Sequence, residues 1–105
     1  NEILHFLDEI NAYFCQTQDF RIISIYNEKI NTYLLKADQL LENNYKNPHI
    51  ADYFIALAYF FLNIKNDKLG AKKWIERFDE LNISLNHYAK YLNDWYSYCK
   101  KELNP

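Results

Sequence analysis

The sequence predicts an all-α fold of about five antiparallel helices, and three observations carry that reading. Half of the 105 residues are hydrophobic and 18% are aromatic, and the apolar positions recur three and four apart. A single glycine, Gly70, and two prolines, Pro48 and Pro105, leave almost no room for turns that need positive φ. The run from Ile50 to Leu62 carries one charge, Asp52, before Asn66-Asp67 turns the chain into an amphipathic stretch ending near Leu81.

The first helix, Ile3 to about Cys15, puts Ile3, Phe6, Leu7, Ile10 and Phe14 on one stripe, with Asp8, Glu9 and Asn11 outside it. Asp19 can cap a second helix in which Ile23, Tyr26, Ile30, Tyr33, Ala37 and Leu40 recur at helical spacing. If it continues to Glu42, that helix is about 35 Å long. Ile22, Ile25, Leu34 and Leu41 widen its stripe beyond a two-stranded coiled-coil seam, which favours packing within the domain. Asn43-Asn44 and Asn47-Pro48 supply a strong break, because the residue before proline is pushed out of helical geometry. The third helix starts near Pro48 or His49 and ends around Asn63. Apolar on nearly every side, it reads as a central helix enclosed by the others. Asn66-Asp67 caps the fourth helix, which buries Ala71, Trp74, Ile75, Phe78 and Leu81 and leaves Lys72 and Glu76 as an exposed pair. The fifth runs from about Ser84 to Leu103 with Leu85, Tyr88, Leu92, Trp95 and Cys99 inward.

The length fits one domain able to bury a core without metal or disulfide staples. Met is absent even at position 1, so the chain is expected to be a fragment or a processed product. The net charge of −2 is uneven: residues 1 to 64 hold four basic and eight acidic side chains, and residues 65 to 105 hold eight and six. Neither part is basic enough for a nucleic-acid groove. No run of about 18 apolar residues and no leader-like N-terminus is present, so neither a membrane partner nor a signal peptide is expected, and the location expected is cytoplasmic. Cys15 and Cys99 lie far apart, which excludes CxxC chemistry and favours two buried reduced thiols, with a single bridge as the alternative if the protein is secreted and the two helices meet. Asn82-Ile83-Ser84 matches the short glycosylation acceptor pattern.

Catalytic patterns are missing in turn. Glu2-Ile3-Leu4-His5 has the Glu-x-x-His spacing of di-iron bundles but no second copy. His49 and His87 have no acid at catalytic spacing. One glycine cannot build a phosphate loop, and no nucleophile elbow or His-Glu-x-x-His occurs. A non-enzymatic chain without cofactor or metal is the expectation.

The stretch Asn66-Asp67-Lys68 through Ala71, Trp74, Ile75 and Phe78 to Leu81-Asn82 resembles the second half of a tetratricopeptide-type repeat. Ile55, Ala58, Tyr59 and Leu62 stand where the first half of that repeat usually has Trp, Leu, Gly and Tyr, with Tyr59 departing most. The sequence from Phe78-Asp79-Glu80-Leu81-Asn82 into Tyr88-Ala89-Lys90-Tyr91-Leu92 is similar to the C-terminal domain of Rgg/MutR-type peptide-sensing bacterial transcription regulators. The resemblance implies a right-handed helical repeat that binds a short apolar peptide or a partner protein, that can form a homodimer, and that leaves DNA contact to another segment. On the concave face, lined by the third and fifth helices, Tyr59, Asn63, Lys90, Asn93 and Tyr96 are the candidate ligand contacts: Asn amides for a peptide backbone, rings for apolar side chains, Lys for a carboxylate. A closed helical bundle acting as a stoichiometric inhibitor, such as a small immunity protein or antitoxin, is the alternative.

Overall fold

The computed structural model describes residues 2–19 and 21–104, apart from the side chains of residues 22 and 23. At its centre lies α4 (Asp52–Asn63), which buries every residue from Phe54 to Phe60 and also Leu62. Around it stand α1 (Glu2–Thr17), α3 (Asn27–Glu42), α5 (Lys68–Glu80) and α6 (Lys90–Leu103), with a one-turn helix, α2 (Arg21–Ile25), leading into α3. All described elements are helical, as the composition predicts. The nearly all-round apolar face of α4 is covered because α1, α3, α5 and α6 each pack on it.

The predicted second helix is broken. Asp19 lies two residues before it, its carboxylate accepting the backbone N–H of Arg21 at 3.0 Å. The helix then stops at Ile25, and Tyr26 takes φ −112° and ψ 24° before α3 begins. The sequence there, Arg-Ile-Ile-Ser-Ile, is β-branched and weakly helical, and at the bend itself Ile25 and Tyr26 are exposed and add no packing of their own. The buried stripe of α3 is Ile30, Leu34, Ala37 and Leu41, rotated from the expected one so that Tyr33 and Leu40 sit at its margin and Tyr26 is exposed.

The Asn66-Asp67 turn matches expectation. Asp67 caps α5, accepting the N–H of Gly70 at 3.0 Å. Asn66 takes φ 52°, and Asn82 and Gln18 also lie in the left-handed region, so the positive-φ turns thought to be almost absent are made without glycine. Gly70 serves a different need, the close approach of α5 to Phe61 of α4. Phe54 contacts Trp74 with ring centroids 5.2 Å apart, so α4 and α5 run antiparallel between these two ends.

Two boundaries shift. A single 3-10 turn at Pro48–Ile50, capped by Asn47, precedes α4, which begins at Asp52. Another 3-10 turn at Leu85–His87 takes up the predicted start of the fifth helix, and α6 begins only at Lys90 after an extended Tyr88-Ala89. Leu85 and Tyr88 are therefore half-buried loop residues, while Leu92, Trp95 and Cys99 are buried as expected. Cys15, expected to be buried, is exposed. Asn11, expected outside the stripe of α1, is fully buried against α4.

Candidate functional site

Pairs of contacting residues give the helices their register. Asn11 of α1 reaches Ala56 of α4, and Cys15 lies against Tyr59, so α1 and α4 run parallel. Tyr59 stacks on Trp95 at 4.8 Å, and Tyr98 donates to Asn63 Oδ1 at 2.9 Å, so α4 and α6 also run parallel. These three helices form one row with α4 in the middle. A second row holds α3 and α5: Trp74 Nε1 donates to Asp38 Oδ1 at 3.0 Å, and the Arg77 guanidinium grips the Glu42 carboxylate at 2.6 and 2.9 Å. The partners in that row are 36 and 35 residues apart, and Asn63 and Tyr98 in the first row are also 35 apart.

Between α1 and α6 the first row is open. A groove of 410 Å³ is lined by Asp8, Glu9, Ala12, Cys15 and Gln16 of α1 and by Tyr91 and Trp95 of α6. Ala12 keeps the α1 wall low. Tyr91 meets Trp95 edge-on at 4.9 Å and is 47% exposed, giving an aromatic wall that solvent reaches. One end of the groove is acidic. Burial lifts the Asp8 carboxyl to about 6, with repulsion from Asp52 adding to the shift and His5 opposing it. Asp52 itself is raised by burial, against hydrogen bonds from the first backbone N–H groups of α4. The Tyr53 and Tyr91 hydroxyls are raised by burial and by both aspartates, which places four polar groups from three helices around one spot.

The five residues predicted to contact ligand divide into separate environments. Tyr59 is buried between Cys15, Trp95 and Tyr98, and its hydroxyl is held well above its usual range, first by burial. Asn63 is half-buried, donating to the Tyr59 carbonyl at 3.2 Å and accepting from Tyr98. These two lie together beside the groove. Asn93 closes the loop before α6, its amide lying within 3.1–3.3 Å of the carbonyls of Leu85, Tyr88 and Ala89. Lys90 pairs with Asp94 at 3.0 Å on an exposed face. Tyr96 turns toward α5, donating to Asp79, which also receives Lys100 at 2.9 Å. The structure does not bring Lys90, Asn93 and Tyr96 together with Tyr59.

Missed from the sequence were the α1 wall and Tyr91. The signal was present as a second face on α1: Asp8, Ala12 and Cys15 fall four and three apart beside the core stripe, with one small residue at the centre. The His5 imidazole pairs with Glu9 at 2.8 Å, and Glu2 accepts from the Tyr33 hydroxyl at 3.4 Å. Among the described residues no group of three or more His, Cys, Asp or Glu side chains is arranged to hold a metal ion, and no helix is long and apolar enough to cross a membrane. No family model, curated protein or solved structure matches the chain.

Proposed function

We propose that the chain is a non-catalytic helical-repeat domain that binds a short peptide or a partner segment in the groove between α1 and α6. The observation that carries this reading is that both helices pack on α4 while leaving an open, partly aromatic channel between them. The two rows support a tetratricopeptide-like arrangement. Contacting partners stand 35 and 36 residues apart between α3 and α5 and 35 apart between α4 and α6, close to the 34-residue period of that repeat, whereas Asn11 and Ala56, between α1 and α4, stand 45 apart. In such a solenoid the first helices of successive pairs line the concave face, and here those are α1, α4 and α6. A closed bundle would bring α1 and α6 together. The resemblance to peptide-sensing regulators fits the same picture, with this domain as the sensing part and the DNA-binding part outside it.

Titration of the 15N-labelled domain with a panel of short apolar peptides tests the reading. Saturable shifts confined to α1 and α6, abolished by Ala12→Trp in a folded variant, are expected. No saturable binding, or shifts on α3 and α5 instead, would sink it.

A further inference from the structure

We propose that the occupant of the α1/α6 groove is an amphipathic helix that sets a lysine or arginine against Asp8 and lays its apolar residues over Tyr91 and Trp95. The inference rests on groove binding as proposed above and adds the chemistry of the ligand. Elsewhere three carboxylates that bridge helices have a cation beside them: Asp38 and Glu42 have Lys73 and Arg77, and Asp79 has Lys100. At the acidic end of the groove the nearby charge is of the wrong kind. Asp8 lies near Asp52 and the uncharged hydroxyls of Tyr53 and Tyr91, and among the described residues the basic group that acts on it, His5, is already engaged with Glu9. A half-buried carboxylate flanked by another favours an incoming cation more than either does in open water. The same charge disfavours a phosphate-bearing ligand such as nucleic acid or an anionic lipid headgroup.

The apolar half of the occupant follows from the rest of the wall. Tyr91 and Trp95 offer two rings, one turn apart on α6, and across from them Ala12 lets a backbone approach α1 closely. From Asp8 to Gln16 the α1 wall runs about 12 Å, a little over two helical turns, which matches anchors at i, i+4 and i+7 of a docked helix.

The test uses three synthetic helical peptides of roughly fifteen residues with one shared apolar stripe and Lys, Gln or Glu at a single position beside it. Each is titrated calorimetrically into the wild-type chain and into Asp8→Asn. The Lys peptide is expected to bind at least about ten-fold more tightly than the Gln peptide, the Glu peptide more weakly still, and the preference to vanish in Asp8→Asn. Ala12→Lys, which puts a cation four residues from Asp8 and fills the channel, is expected to abolish binding in a domain that still folds. Equal binding of the Lys and Gln peptides would overturn the cation while leaving groove binding intact. Failure of all three would remove both. Sedimentation is run in parallel: self-association that Asp8→Lys dissolves would replace the peptide with a second copy of the chain.

Discussion

The Asn11 amide of α1 donates to the Ala56 carbonyl of α4 at 2.8 Å, deep in the core, and its Oδ1 is the buried side-chain atom left without a partner among the described residues. The bond fixes the rotation of α1 on α4, and with it the face that carries Asp8, Ala12 and Cys15 into the groove. The unpaired oxygen costs stability, so the two halves of the amide work against each other. Asn11→Leu, of similar size and without a polar atom, is expected to be neutral or slightly stabilising. Asn11→Ala is expected to lose about 1–2 kcal/mol through the bond and the space vacated. Urea denaturation of the two variants compares them, and a large loss in Asn11→Leu would mean the amide is needed for the fold.

Much of this arrangement is written locally. The Asp67 cap, the Asn47-Pro48 break and the apolar run of α4 each depend on neighbours a few residues away, and all of them appear where the sequence puts them. The break at Tyr26 was hidden because the three-four spacing of apolar residues continues across it; periodicity records which face is apolar and not whether anything packs there to hold the helix. The groove was hidden for a different reason. It depends on α1 and α6, residues from opposite ends of the chain, lying on either side of α4, and no short-range pattern encodes that juxtaposition. Asn93 shows the converse: its amide suits a peptide backbone, but the carbonyls it reaches belong to its own loop.

Gly70 gives a prediction that runs against helix propensity. In an ordinary helix interior, replacing glycine by alanine gains up to about 1 kcal/mol. Here an added Cβ would stand 2.8 Å from Asp67 Oδ2 and 3.1 Å from the Phe61 ring. The carboxylate would have to turn about its capping oxygen, Oδ1, and the Phe61 ring to give way, which strains a cap worth about 1 kcal/mol. Gly70→Ala is expected to lower the midpoint of thermal unfolding. In an Asp67→Ala background the same substitution should cost less or become favourable, because the cap is already gone. Equal effects in both backgrounds would show that the clash is relieved elsewhere.

Asp8 makes stability depend on pH in a stated direction. Its carboxyl sits at about 6 in the folded chain against 3.8 for the free group, through burial first and Asp52 second. Between those values the folded chain holds a proton that the unfolded chain has released, so this contribution to stability is present below about pH 4 and is lost as pH rises to 6. Asp8→Asn removes the penalty. At pH 7 it is expected to be more stable than wild type by on the order of 1 kcal/mol, once solvent screening of a half-buried group is allowed for. At pH 4 the two should unfold together. A constant difference across the range would mean the charge is not the cause.

The two cysteines report on the groove and on the packing of α6. Cys15 is exposed in the groove wall, whereas Cys99 is fully buried on α6 and burial alone pushes its thiol up to about 12. A thiol-reactive disulfide reagent at neutral pH needs access and a thiolate, and Cys99 offers neither until α6 leaves α4. One thiol is therefore expected to react promptly and the second at a rate that follows unfolding, rising with urea in step with the loss of structure. A peptide seated between α1 and α6 should slow the first reaction and, by stabilising the fold, the second as well. Protection of Cys99 alone would place the ligand outside the groove, and simultaneous reaction of both thiols in the absence of denaturant would contradict the packing of α6 on α4.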